Sequence, residues 1–330
     1  MTLFEAVQNN LLSPAVLFFF LGFLAALVKT DLKFPEPLYA ALTIYLLVAI
    51  GFKGGVAVAE AGLASVWLPV VGGLAIGGLI PLWCYPVLRW GKLPGVDAAS
   101  IAAHFGSVSA VTYLAASNFL KASGVAPEGY MAAQLAVMES PAIIVGILLG
   151  RRAMRRSGGG NSNTGGLAGV LHEALLGRSV YLLLGGLLVG FLSGPRGYEA
   201  TAPLFVAPFH GIVALFLLEM GYVAGRRAGD LRAAGPFLVG FGIIMPVVNA
   251  AAATLLGAWI GLSTGGTAIF ATLAASASYI AAPAAMRLSL PDARPALSLG
   301  TALAVTFPFN VTLGIPLYYE MAKLSALTFK

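Results

Sequence analysis

Long apolar stretches, separated by short polar or Pro/Gly-rich breaks, make up most of the chain. A membrane-spanning helix needs about 20 mostly apolar residues, and ten stretches approach or exceed that length. The pattern therefore predicts an all-α membrane protein with ten transmembrane helices: Ser13–Val28, Pro37–Phe52, Val66–Leu88, Ala98–Leu120, Met131–Gly150, Ala174–Leu192, Pro203–Val223, Pro236–Ile260, Thr267–Met286 and Ala296–Tyr319.

The composition agrees with this class and excludes several others. Hydrophobic residues make up 59% of the 330 residues and charged residues 10%, whereas an ordinary soluble domain has about 25% charged residues. A cytosolic enzyme, a nucleic-acid-binding protein and a disordered regulator are therefore excluded. The single cysteine, Cys84, excludes an internal disulfide and a cysteine-rich metal site. The sequence has no GxxxxGK[ST], HExxH or GxSxG motif, which argues against an ATP-driven pump and an intramembrane hydrolase.

The positions of the basic residues predict the topology. If the N-terminus is outside the cytoplasm, 14 of the 19 Lys and Arg residues fall in inside loops, as the positive-inside rule requires. Ten spans then leave both termini outside. The net charge of +6 is thus a topology signal, with anionic lipid headgroups as neighbours. The first ten residues contain Glu5 and no basic residue, which argues against a cleaved signal peptide.

A basic and Gly/Ser/Asn-rich segment, Arg151–Gly166, divides the chain into two related halves. Residues 1–150 and 171–330 each hold five spans, and residues 151–170 form a cytoplasmic linker. Pro37-Leu38-Tyr39 recurs as Pro203-Leu204-Phe205, and Ser107-Val108-Ser109 recurs as Ser276-Ala277-Ser278, with offsets of 166 and 169 residues. Because five is odd, the second half must enter the membrane in the opposite sense. Inverted repeats of this kind are typical of secondary transporters.

The fourth and ninth spans carry the candidate binding chemistry. Small and hydroxyl-bearing residues in Ala103–Thr112 and Ala275–Pro283 favour helices that break near the bilayer centre. Each break exposes main-chain N–H groups and a positive helix-dipole end, so two facing breaks predict an anion site without Lys or Arg. The alternative is that Ser and Thr bond back to their own helix and merely bend it.

Glu139 is the candidate ligand for a cation. It lies in Met138-Glu139-Ser140-Pro141, where a carboxylate stands beside carbonyls that the proline frees. These are hard oxygen ligands, suited to sodium or a proton; the alternative is a span-end glutamate paired with a neighbour. The repeat counterpart offers Thr306 and Asn310 beside Pro308. His104 and His210 are expected to pack with hydrogen bonds; the alternative is that His104, one short turn before Ser107, lines the site. The histidine spacing does not form a transition-metal site.

Several motifs together resemble the sodium-dependent bicarbonate transporter family, of the cyanobacterial type. They are Phe105-Gly106-Ser107-Val108-Ser109, Thr112, Glu139-Ser140-Pro141-Ala142 and Ala274-Ala275-Ser276-Ala277-Ser278 with Pro283 and Arg287. The resemblance covers nearly the whole chain. It implies a ten-span inverted-repeat homotrimer in the bacterial inner membrane. Such a protein imports bicarbonate with sodium by elevator-like alternating access, with no organic cofactor.

The same resemblance implies which residues hold each ion. Bicarbonate is expected between the broken spans, held mainly by backbone amides and serines of Gly106, Ser107, Val108, Ser109, Ser276, Ala277 and Ser278. Sodium is expected at Ser107, Thr112, Glu139, Thr306 and Asn310. A small PII-like nucleotide-sensing protein is a possible partner at the cytoplasmic face.

Two positions depart from the family pattern. Glu139 stands where members have Asp, which keeps the charge, and Tyr279 stands where members have Asp, which removes a carboxylate from the second sodium site. Two alternatives stay open: a sodium-coupled transporter of another small monoanion, and an anion channel or sensor on the same scaffold. Because the spans hold no arginine pair to clamp a carboxylate bidentately, a small monoanion is favoured.

Overall fold

A computed structural model of the chain describes residues 3–32, 34–156, 178–227 and 229–328. Within these ranges the protein is α-helical and has no strand. The helices are α1 Leu3–Leu11, α2 Pro14–Leu27, α3 Glu36–Ala61, α4 Leu63–Trp90, α5 Gly95–Gly106, α6 Ala110–Ala122, α7 Met131–Arg156, α8 Arg178–Phe205, α9 Phe209–Arg227, α10 Asp230–Trp259, α11 Thr264–Ala275, α12 Ala281–Ser289 and α13 Pro295–Thr328.

Eight segments of the described chain are long and apolar enough to cross a membrane. They are α3, α4, α7, α8, α9, α10, α13 and the combined segment of α5 and α6. The predicted first span is the 14-residue helix α2, which extends about 21 Å, less than a hydrocarbon core of about 30 Å. The predicted ninth span is divided into α11 and α12, and α11 has 12 residues.

The start predicted for the seventh span was wrong. The helical backbone of α8 is interrupted at Gly194, two residues after the predicted end of the sixth span at Leu192: Gly194 takes φ 58°, which glycine adopts at no steric cost, and a second helical run continues to Phe205. Pro203 therefore lies near the end of α8, and α9 begins at Phe209. Residues 174–177 of the predicted sixth span lie outside the described residues, as do residues 157–170 of the predicted linker.

Two helix pairs pack closely through glycine. Helix α2 lies along α9, and α3 lies along α8. A Cβ on Gly22 would collide with the carbonyl oxygen of Leu218, and one on Gly55 with that of Leu187. Small residues let backbones approach in this way, and helices in lipid associate through such packing.

The remaining helices form two groups with matching contacts. Helices α4, α5 and α7 contact one another, and so do α10, α11 and α13. Every residue from Asp97 to Gly106 in α5 and from Gly265 to Ala275 in α11 is buried. Both helices end abruptly in the protein interior. The two helix ends that carry the candidate site are thus held away from the surface by packing on several sides.

Candidate functional site

The two interrupted helices end with the same backbone geometry. Helix α5 ends at Gly106, and Ser107 turns extended with φ −86° and ψ 165°. Helix α11 ends at Ala275, and Ser276 turns extended with φ −79° and ψ 167°. The next helices begin at Ala110 and Ala281. The two Ser-x-Ser motifs therefore form the non-helical connections.

Hydrogen bonds join the two connections directly. The Ser109 N–H donates to Ser276 Oγ (2.9 Å), and the Ser278 N–H donates to the His104 carbonyl oxygen (2.8 Å). Each second serine also supports the following helix, because Ser109 Oγ accepts from the Thr112 N–H and Ser278 Oγ accepts from the Ala282 N–H, both at 3.2 Å. The predicted substrate residues of the two halves are thus brought together.

All four serine N–H groups of the two motifs already have acceptors inside the protein. Besides Ser109 and Ser278, the Ser107 N–H donates to the Ala103 carbonyl oxygen and the Ser276 N–H to that of Leu273, both at 3.1 Å. In the part of the chain that the structure describes, the N–H groups of Val108 and Ala277 have no acceptor. These are the middle residues of the two motifs. Within the two motifs they are the main-chain donors left for a ligand.

Gly106 packs tightly against two neighbouring helices. A Cβ at this position would lie 2.6 Å from Pro81 Cδ and 2.8 Å from Ala142 Cβ. The end of α5 therefore approaches α4 and α7 as closely as only glycine permits. This contact sets the position at which the chain leaves the helix.

A small cavity lies where the two connections meet α7. Its polar lining comes from Ser109, Glu139, Ser278 and Tyr279. Its apolar wall includes Leu47 of α3, Val108, Leu135 of α7 and Leu183 of α8. The volume of about 10 Å³ holds about one water molecule. A larger ligand needs these walls to move apart.

Glu139 supplies a buried carboxylate to this cavity. The residue is 5% exposed, and its Oε2 atom has no hydrogen-bond partner among the described residues. The Ser107 hydroxyl donates to the Glu139 carbonyl oxygen (3.1 Å). A buried carboxylate without a partner is costly, so this oxygen is available for a cation or a proton. The structure brings the predicted sodium ligands Ser107 and Glu139 together.

The other predicted sodium ligands make different contacts. Thr306 Oγ1 donates to the Gly242 carbonyl oxygen (2.8 Å). Asn310 Nδ2 donates to the Ala275 carbonyl oxygen (2.9 Å), and its Oδ1 accepts from the Tyr318 hydroxyl (2.7 Å). The Asn310 bond to Ala275 holds the end of α11 against α13, and the Thr306 bond joins α13 to α10. Thr112 is buried, and within the described chain no hydrogen bond connects it with Glu139.

A model of the Na⁺-dependent bicarbonate transporter superfamily matches residues 14–323. The chain belongs to this superfamily. Membership makes it a transporter rather than an enzyme, with sodium and bicarbonate as the ions of the family, and the apolar helices place it in a membrane. No curated protein matches the chain.

Tyr279 makes a contact in the site of this superfamily member that sequence reasoning missed. The Ser109 hydroxyl donates to the Tyr279 hydroxyl oxygen (3.0 Å), and the tyrosine ring packs edge-on against Phe307 with centroids 5.5 Å apart. The position was noted only for the carboxylate it removes. Its place directly after Ser276-Ala277-Ser278 was the available signal that its side chain borders the site.

Removing one serine hydroxyl is expected to weaken bicarbonate uptake by this superfamily member about tenfold. Ser107→Ala and Ser278→Ala each remove one hydrogen bond, while the N–H donors of Val108 and Ala277 remain. A tenfold change corresponds to about 1.4 kcal/mol, within the range for one lost hydrogen bond. The half-saturating bicarbonate concentration checks this, with Ser117→Ala as the control because that hydroxyl bonds only within α6. Changes below twofold at both positions would contradict the expectation.

Proposed function

We propose that the protein is a sodium-coupled bicarbonate symporter with ten spans in two inverted halves. The single observation that carries the proposal is the pair of Ser-x-Ser connections, which share backbone geometry and bond to each other through Ser109 and Ser276. Their sequence offset of 169 residues agrees with a duplication. Short helix α2 and the divided pair α11 and α12 complete the ten spans beside the eight long segments.

The helix contacts support the inverted repeat. If α2 corresponds to α8 and α3 to α9, the contact of α2 with α9 becomes the contact of α8 with α3, and both are present. The contacts of α4, α5 and α7 likewise correspond to those of α10, α11 and α13. A two-fold axis in the membrane plane produces such exchanged pairs.

Bicarbonate binds, in this proposal, to the free N–H groups of Val108 and Ala277 and to nearby hydroxyls. Ser109 and Ser278 line the cavity, and Ser107 and Ser276 hold the connections in shape. No Lys or Arg lines this cavity. Neutral donors bind an anion without the strong attraction of a fixed charge, which lets a transporter release its substrate at each cycle.

Sodium couples to the anion through the charge of Glu139. The carboxylate lines the same cavity as Ser109 and Ser278, so it repels an anion until a cation neutralises it. Two unit charges about 4 Å apart interact by about 4 kcal/mol at an effective dielectric constant of about 20. Because linkage is reciprocal, each ion raises the affinity for the other. Ser107 and Thr112 are the proposed partners of Glu139 in holding sodium, and Thr306 and Asn310 are proposed as a second oxygen-rich position.

Alternating access then requires the broken helices to move past α3 and α8. The apolar wall of Leu47 and Leu183 closes the cavity on that side, which supports an elevator-like motion of the other helices.

We extend the proposal to a homotrimer in the bacterial inner membrane, with both termini outside. A wide apolar groove along α8, lined in part by Leu184 and Leu188, supports a contact between subunits. The basic end of α7 supports a cytoplasmic PII-like partner.

Labelled anion uptake tests the proposed substrate. Proteoliposomes containing the protein are given bicarbonate, acetate or sulfate, each with sodium, potassium or choline outside. The proposal predicts bicarbonate uptake that needs sodium and that potassium cannot support. Sodium-dependent uptake of acetate but not bicarbonate would assign another monoanion, and uptake unchanged in choline would contradict the coupling.

A further inference from the structure

A second cavity is lined by residues of α5, α12 and the start of α13. It has a volume of about 140 Å³ and is lined by residues that include Ser100, His104, Pro283, Arg287, Leu290 and Ser298. It shares no lining residue with the cavity at Glu139. Because one water molecule takes about 30 Å³ in the liquid, this space accommodates a four-atom anion with accompanying waters.

His104 presents a buried hydrogen-bond acceptor at this cavity. The side chain is fully buried, and its Nδ1 lies 2.7 Å from the Ser100 carbonyl oxygen. A carbonyl oxygen only accepts, so Nδ1 carries the hydrogen and Nε2 of the neutral ring carries a lone pair. Nε2 has no partner among the described residues. A buried acceptor without a donor is unfavourable, which points to a ligand that donates a hydrogen bond.

Arg287 supplies the positive charge. It is exposed and lines the cavity, and within the described ranges it forms no ion pair. The neighbouring Arg294 is already engaged, since its Nη2 and Nε donate to Asp97 Oδ2 at 2.7 and 2.9 Å. The Arg294 N–H also donates to Asp97 Oδ1 (2.8 Å). Asp97 is thereby neutralised, and the guanidinium of Arg287 is left to attract an anion.

We propose that this cavity is a second binding site for a small oxyanion that bears an O–H group. The O–H donates to His104 Nε2, the charged oxygens face Arg287, and the hydroxyls of Ser100 and Ser298 are within the same lining. Hydrogen carbonate has both features, whereas chloride and nitrate have no O–H. The inference rests on the proposed function: the cavity is a second binding site on the path of the transported anion, at the membrane face where Arg287 lies.

The His104 backbone links this second cavity to the cavity at Glu139. Its carbonyl oxygen accepts the Ser278 N–H (2.8 Å), and Ser278 lines the cavity at Glu139. The hydrogen-bonded pair of Ser278 and His104 therefore borders both cavities. The order of sites gives the anion a route to one face of the membrane.

The half-saturating bicarbonate concentration, measured separately from each membrane face, tests the inference. Proteoliposomes with oriented protein are assayed for sodium-dependent bicarbonate flux, with bicarbonate varied on one face at a time. Arg287→Gln is expected to raise the half-saturating concentration about tenfold from the Arg287 face and less than twofold from the opposite face. Arg152→Gln is the matched control, because Arg152 is an exposed arginine outside the lining of either cavity.

Two substitutions of His104 test the role of the acceptor. Gln offers an acceptor oxygen near the position of Nε2, whereas Met offers none, so His104→Met should raise the same half-saturating concentration more than His104→Gln. An Arg287→Gln variant that changes both faces equally, or neither, would overturn the second site while leaving the symport proposal standing. A wild-type protein without sodium-dependent bicarbonate flux would overturn both.

Discussion

Ser109→Leu is expected to abolish bicarbonate transport while leaving a folded protein. Ser109 is 4% exposed, and its side chain lies against the Tyr279 hydroxyl in a cavity of about 10 Å³. An isobutyl group fills the space that the anion needs and removes the cap of the Thr112 N–H. Ala277→Leu should have the same effect, since Ala277 is 3% exposed and carries the other free N–H.

Size-exclusion profiles and thermal midpoints must accompany the uptake measurement. Overpacking costs typically about 1–3 kcal/mol, so a loss of transport counts only if the purified variant keeps its oligomeric state. Ser117→Leu is the matched control, because it adds the same side chain in α6, outside the lining of either cavity. Leucine variants that transport at rates near the wild type would place the substrate elsewhere.

Glu139→Gln is expected to raise the half-saturating sodium concentration at least tenfold, which is about 1.4 kcal/mol. Gln has nearly the same shape but no charge, so it binds the cation less strongly and no longer repels the anion. The linkage between the two ions should therefore weaken: sodium should improve the apparent bicarbonate affinity far less than in the wild type. Uptake measured over a grid of sodium and bicarbonate concentrations gives both quantities.

Glu219→Gln is the control for this substitution. Glu219 of α9 also has a buried Oε2 atom without a partner in the described chain, but it does not line the cavity at Ser109. Neutralising it removes a comparable charge at a different place. A Glu139→Gln variant whose sodium titration matches the wild type would make Glu139 a structural residue.

Much of the fold could be predicted because the bilayer fixes helix length. Apolar stretches such as Val66–Leu88 correspond to long helices such as α4. The prediction went wrong at the start of the seventh span: a proline such as Pro203 is typical of the first turn of a helix, but here it lies in the last turn of α8, and α9 begins at Phe209.

The candidate site was predictable only in part. The recurrence of Ser-x-Ser at two places indicated where the helices are interrupted, because small and hydroxyl residues weaken a helix locally. The partners across the site could not be predicted, since Ser109 and Tyr279 are 170 residues apart and no local pattern specifies their contact. The engagement of the serine N–H groups, which leaves Val108 and Ala277 as donors, likewise depends on the folded arrangement.

Concentrative uptake into proteoliposomes is the most direct test of sodium-coupled symport. Vesicles containing the purified protein hold equal bicarbonate inside and outside, with the membrane potential clamped at zero, and an inward sodium gradient is then imposed. The proposed mechanism predicts that labelled bicarbonate rises inside above its outside concentration and falls back when the gradient is collapsed with a sodium ionophore. Equilibration without accumulation would contradict it, because a channel cannot move an anion against its electrochemical gradient.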